Sequence, residues 1–225
     1  MNILFIGNSY TYFFDLPSLF ADLCRQNGRD VRVDSVTAGG RELHECLDET
    51  NSVLHPTDSL ANRIAELIDE VKYDVLILQE QSCLPYHNPS LFHVGAKGLS
   101  SIINADRTVM YATWGRADGS ETLTHYGWTR QSMTKGLYES YCQAAALVNG
   151  EVSPVGLCFA EIVDKHPEID LYDPDKSHPS YTGTCVAALC HYKTVFGEMP
   201  RDLSALKLDT KVAKKLSAAV ERIHT

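Results

Sequence analysis

Met1-Asn2-Ile3-Leu4-Phe5-Ile6-Gly7-Asn8-Ser9-Tyr10-Thr11 opens the chain. Its apolar run is short and unbroken, and it stops at a glycine. That pattern predicts a strand over residues 2–6, covered on both faces, that feeds a tight turn carrying a serine. Working outward, further strands are expected at residues 31–37, 74–78, 107–113 and 155–158. Val75-Leu76-Ile77-Leu78 is apolar at every position, as a strand buried on both sides requires.

Helical patterns separate these runs. Leu16–Gln26 follows Asp15 as a cap and stops before Gly28. Leu60, Ile64, Leu67, Ile68 and Val71 recur at helical spacing, with Thr57 as the expected N-cap. Residues 90–104 and 131–148 predict two more helices. Tyr181, Cys185, Ala188, Leu189, Tyr192 and Phe196 line one face of another, closed by Gly197, and Val212, Leu216, Val220 and Ile223 mark the last. Strands alternating with helices imply a parallel sheet with helices on both faces. The expectation is an α/β fold: a three-layer α/β/α sandwich with five parallel strands in the flavodoxin-like order 2-1-3-4-5. No linker, repeat or low-complexity tract divides residues 1–225, so one domain is expected.

Composition removes several classes of function. The formal net charge is −9, which opposes binding to a phosphate backbone. The basic cluster from Lys207 to Lys215 is interleaved with apolar residues and reads as the wet face of a helix. No run approaches the ~20 apolar residues of a membrane span, and no signal-peptide pattern precedes the first strand. Seven cysteines, without CxxC spacing, leave at least one unpaired. A reduced, cytoplasmic setting is the expectation.

Right-handed crossovers put the C-terminal ends of all strands on one edge, where ligands bind. Ser9 follows strand 1, Gly39-Gly40 follows strand 2, and Gln79-Glu80-Gln81-Ser82 follows strand 3. Far downstream stands Asp175-Lys176-Ser177-His178, then Pro179. A serine hydroxyl needs a base, and the base needs a group to orient it. His178 can take the serine proton. Asp175, three residues earlier, can fold back to hold the imidazole, with Asp173 as a second choice. Pro179 holds His178 extended and suits a first helical position.

Together these blocks resemble the SGNH (GDSL-type) hydrolase superfamily. Gly7-Asn8-Ser9 looks like its Gly-Asp-Ser block, Asp175-x-x-His178 like its closing Asp-x-x-His, and Gly40 like its oxyanion glycine. The resemblance implies a serine esterase with Ser9 as nucleophile, His178 as base and Asp175 as orienting group. It also implies an oxyanion site built from the N–H groups of Ser9 and Gly40 and a side-chain amide. Two departures stand out. Asn8 replaces the usual Asp, and Gln79-Glu80-Gln81-Ser82 replaces Gly-x-Asn-Asp, so Gln79 or Gln81 must supply the amide. This variant block is loosely similar to that of carbohydrate acetylesterases. Small acyl esters, O-acetyl groups on carbohydrates among them, are the implied substrates. An acyl-thioester or lipid hydrolase on the same residues, or a non-catalytic binding module, are the alternatives.

Trp114 and Tyr10 are candidate walls of the substrate site, and Arg116 a candidate for a substrate anion. No cofactor, metal, nucleic-acid or membrane partner is expected. His44-Glu45-Cys46-Leu47-Asp48 lacks the second histidine of a His-Glu-x-x-His site, and no phosphate-binding glycine loop follows a strand.

Overall fold

The computed structural model describes residues 1–224. Strands β1 (Asn2–Gly7), β2 (Arg32–Thr37), β3 (Val75–Leu78), β4 (Arg107–Tyr111) and β5 (Glu151–Ser153) form one parallel sheet in the order β2-β1-β3-β4-β5. Ile3 lies opposite Val33 and Val75, Ile77 opposite Val109, and Tyr111 opposite Ser153. The helices are α1 (Ser9–Tyr12), α2 (Leu16–Gln26), α3 (Ser59–Glu70), α4 (Leu84–His87), α5 (Pro89–Ile103), α6 (Glu121–Tyr126), α7 (Arg130–Leu147), α8 (Val155–Lys165), α9 (Tyr181–Phe196) and α10 (Thr210–Ile223).

Side chains alternate across a strand, and the core divides accordingly. Ile3, Phe5, Val75, Ile77, Val109 and Tyr111 pack with α2, α8, α9 and α10. Leu4, Ile6, Leu76, Leu78 and Met110 pack with α3, α5 and α7. The three-layer sandwich and its strand order match the expectation. The lysines of the 207–215 cluster sit beside the buried stripe Ala213, Leu216, Ala219 and Val220 of α10. Among the described residues, no helix is long and apolar enough to cross a membrane.

Local boundaries differ from the sequence reading. The fifth strand is Glu151–Ser153, and Val155–Lys165 is helical. Pro154 has no N–H for the ladder, so the strand stops there and the apolar residues after it begin α8. A short apolar run fits a buried strand and a buried helix equally well. Asp58, not Thr57, caps α3, its side chain accepting from the Ala61 N–H at 2.9 Å. Ser180 caps α9 through the Gly183 N–H, so Pro179 lies outside the helix.

Candidate active site

The turn after β1 is built around Asn8. Its Oδ1 accepts from the Tyr10 N–H at 3.2 Å and so caps α1, and its Nδ2 donates to the Arg41 carbonyl at 3.0 Å. Its own N–H donates to Gln79 Oε1 at 2.9 Å. One asparagine therefore ties together the loops after β1, β2 and β3. An aspartate could make the cap but could not donate to Arg41. Gly7 is required for this closure, because a Cβ there would lie 2.7 Å from Gln79 Oε1 and 2.5 Å from Thr11 Oγ1.

Ser9 is the first residue of α1, half-buried at the sheet edge. Its Oγ is 2.8 Å from His178 Nε2. His178 Nδ1 is hydrogen-bonded to Asp175 Oδ2. The backbone N–H groups of Ser177 and His178 both donate to Asp175 Oδ1 at 2.9 Å. Partial burial pushes the Asp175 carboxyl up, but the His178 ring and these two N–H groups outweigh it. The net shift is below the ordinary value. Asp173 offers His178 only its backbone, donating its N–H to the His178 carbonyl at 2.8 Å. The Phe13 ring stacks on the imidazole at 4.1 Å and 10°. The sequence reading missed Phe13. It follows the serine motif closely, but its direction is set by left-handed backbone at Phe14 and Asp15 (φ 51° at each).

Of the two candidate walls, Tyr10 lines the pocket at Ser9 although it is almost fully buried, and Trp114 does not line it. Trp114 is 0% exposed and Tyr10 2%. Trp114 stacks between Tyr10 at 4.7 Å and Phe159 at 4.1 Å, and its Nε1 donates to the Ser177 carbonyl at 3.0 Å. The Tyr10 hydroxyl pairs with Ser177 Oγ at 2.8 Å. Burial pushes its phenol up to about 12, with Arg116 pulling the other way, so it stays neutral. These aromatics support the loop that carries His178. Beyond the end of β4 the chain turns inward, and burying an indole stabilises the fold more than displaying one.

The four residues after β3 divide the work. Gln79 is buried, with Oε1 accepting from the Asn8 N–H and from Thr11 Oγ1, both at 2.9 Å, and Nε2 bonded to the Glu80 carbonyl. One of its two amide protons goes to that carbonyl, and Gln79 does not line the pocket at Ser9, whereas Gln81 does. Gln81 Oε1 accepts from the N–H groups of Cys83 (2.7 Å) and Leu84 (3.1 Å), while its Nε2 has no acceptor among the described residues. The strand ends at Leu78, so the alternation that would align both glutamines fails there.

Glu80 is 0% exposed and joins two loops, accepting from the N–H groups of Leu43 (3.1 Å) and Gln81 (2.6 Å). Burial raises its carboxyl from 4.5 to about 8, with nearby Glu42 and Glu45 adding to the rise and the two N–H groups opposing it. The folded protein thus holds a proton here that the unfolded chain releases near 4.5. The unfolded state binds fewer protons across that window, so Glu80 lowers stability as pH rises from about 4.5 to about 8. Glu80→Gln keeps the acceptor and the volume. Relative to wild type, its melting temperature should gain several degrees between pH 5 and pH 8.5, equivalent to on the order of a few kcal/mol. Thermal melts across that range test it, and a pH-independent difference would contradict the buried acid.

Gly40 (φ 68°) and Gln81 line a pocket of about 190 Å³ together with Ser9, Ser82, Arg116 and His178. Glycine adopts the left-handed backbone at position 40 without strain, and the residue is exposed. Neither the Ser9 nor the Gly40 N–H has an acceptor among the described residues. Three unpartnered donors, the two N–H groups and Gln81 Nε2, thus border one small space beside a hydroxyl–imidazole–carboxylate chain.

His44-Glu45 forms a capped 3₁₀ turn, with Glu45 accepting from the Glu42 N–H at 2.9 Å. Among the described residues, only Cys158, Cys190 and His224 bring metal-ligating atoms together as a group of three, within 4.8 Å of one another. They meet on the α8–α9–α10 side of the sheet, and the sequence reading did not anticipate them. All seven cysteines are free thiols.

No family model and no curated relative matches the chain by sequence. Solved structures do match. A protein from Slackia heliotrinireducens assigned to the SGNH hydrolases is 28% identical, with a TM-score of 0.72 over 87% of this chain and 98% of that one. A DUF4886-family protein from Bacteroides uniformis superposes with a TM-score of 0.77 at 16% identity, over 99% of this chain and 93% of that one. An acetyl-xylooligosaccharide esterase from Geobacillus gives a TM-score of 0.63 at 14% identity, over 89% and 96% of the two chains. In sheet order and in likeness to these structures, the chain has the fold of the SGNH hydrolases.

Proposed function

We propose that the protein is a serine esterase for small acyl esters, O-acetyl groups on carbohydrates foremost, acting through Ser9, His178 and Asp175. The observation that carries this reading is the 2.8 Å contact from Ser9 Oγ to His178 Nε2, with Asp175 bonded to the other ring nitrogen. Asp175 holds the Nδ1 proton in place, which leaves the Nε2 lone pair for the serine hydroxyl. Ser9 Oγ attacks the ester carbonyl as its proton passes to His178. The Ser9 and Gly40 N–H groups and the Gln81 amide receive the developing oxyanion. Collapse expels the alcohol, which takes the proton from His178. Water then attacks the acyl-serine with His178 as base, and the acid departs.

Pocket size and polarity support a small acyl group. Sites for drug-sized ligands span roughly 300–1,000 Å³, and the space at Ser9 is about 190 Å³ with polar walls. A long acyl chain would need an apolar groove leading from Ser9, and the space adjoining the pocket is walled largely by charged and polar side chains. Acetylated xylo-oligosaccharides, the substrate class named for one protein of this fold, are the first to assay.

A fluorophosphonate probe tests the reading. It should label wild-type protein once, at Ser9, with loss of hydrolysis of p-nitrophenyl acetate. Intact protein that takes no label and releases no acetate would instead be a binding module on a hydrolase fold.

A further inference from the structure

Arg116 stands at the junction of two cavities. It lines the pocket at Ser9, and with Gln81 it also lines an adjoining open cleft of about 630 Å³. Glu42, Glu121, His125 and Tyr126 form much of the rest of that cleft. Arg25, Arg29, Arg32, Arg41, Arg63, Arg107, Arg130 and Arg222 each pair with a carboxylate. Among the described residues, only Arg116 and the exposed Arg201 have none. The chain carries a net charge of −9, so a half-buried guanidinium without a counter-ion is unusual here. Arg116 Nη2 donates to Ser82 Oγ at 3.0 Å, and its Nε is buried with no acceptor. A buried donor left unpaired is destabilising. A ligand anion would offset that cost, since guanidinium matches a carboxylate through paired N–H donors.

Resting on the esterase reading, we propose that Arg116 binds a carboxylate on the alcohol portion of the substrate. The preferred ester is then an O-acylated hydroxy acid of the sugar-acid type. The acyl group occupies the small pocket, and the alcohol extends past Arg116 into the cleft. Hydroxyl groups farther out donate to Glu42 and Glu121, and the Tyr126 ring, 37% exposed, offers an apolar face. Glu42 does not neutralise Arg116, because its carboxylate caps the turn at Glu45 and lies 3.4 Å from His44 Nδ1.

Matched esters separate this inference from the reading beneath it. 3- and 4-acetoxybenzoate are compared with 3- and 4-acetoxybenzamide, which have the same shape without the charge. Wild-type protein should favour the better anionic ester over its amide at least tenfold in kcat/KM. That preference should fall about 10- to 100-fold in Arg116→Gln, the range expected for a charge-assisted hydrogen bond, and return in part in Arg116→Lys. A merely structural role would depress both esters alike and leave the ratio unchanged. An equal ratio in wild type and Arg116→Gln, with Ser9-dependent hydrolysis intact, would overturn the carboxylate site and leave the esterase standing. Hydrolysis of neither ester, with no labelling of Ser9, would overturn both.

Discussion

Ser9→Ala protein should keep its melting temperature within a degree or two of wild type and lose hydrolysis of p-nitrophenyl acetate by about a million-fold in kcat, the scale of losing a nucleophile that acts as a unit with its base. The structural change is one oxygen on a half-buried side chain, and its hydrogen bond is to His178. The capping of α1 rests on Asn8 and does not involve the serine hydroxyl. His178→Ala should lose as much, and combining the two should add little, because neither group works without the other. Asp175→Asn should cost about 10,000-fold. An amide retains size but can present a donor to Nδ1, which favours the wrong imidazole tautomer. Single-turnover assays with active-site titration provide the check. A folded Ser9→Ala protein within tenfold of wild-type rate would remove the proposed mechanism.

Gln81→Ala should reduce kcat about 100- to 1,000-fold, the range for loss of one oxyanion donor, with KM nearly unchanged. Gln79→Ala should behave differently. Its amide accepts from Asn8 and Thr11 in the interior, so truncation strands buried donors and should lower stability by about 1–3 kcal/mol for each donor stranded. Gln81 also accepts from the Cys83 and Leu84 N–H groups, so both variants should melt lower, and the two glutamines should separate in kcat, which only Gln81→Ala lowers. Kinetics and thermal melts on both variants decide it. The reverse pattern would mean that the loop after β3 rearranges when substrate binds.

The substitution of Asn8 for the superfamily's aspartate is not a weakened motif in this fold. The Nδ2 bond to the Arg41 carbonyl gives the loop after β2 an anchor that a carboxylate cannot supply. Arg41 in turn reaches Asp58 at 2.5 Å, so the segment bearing Gly40 is held from both sides. Glu80 makes a second tie to the same segment through the Leu43 N–H. A preorganised oxyanion donor needs such bracing, because movement of its loop would reintroduce the reorganisation that the site otherwise avoids.

Much of this was legible in the sequence, because period and punctuation are local properties. Alternating buried faces in Ile3-Leu4-Phe5-Ile6, caps such as Asp15 and stops such as Gly197 act within a few residues. They specified the parallel sandwich and its order. Connection handedness then put Ser9, Gly40 and the Gln79–Ser82 loop on one edge, and the His178 segment had to meet them. Tertiary structure decided the identities that depend on what lies opposite. Whether residues 155–158 were strand or helix turned on Pro154 and on the space beside β4. Whether Gln79 or Gln81 met the pocket turned on where the β3 ladder ended. Trp114 went inward because Tyr10 and Phe159 were there to sandwich it. Phe13 covers His178 although 165 positions separate them in the chain. Backbone propensity and hydrophobic period are written in neighbouring residues, but a side chain's direction beyond a strand end is chosen by packing partners distant in sequence.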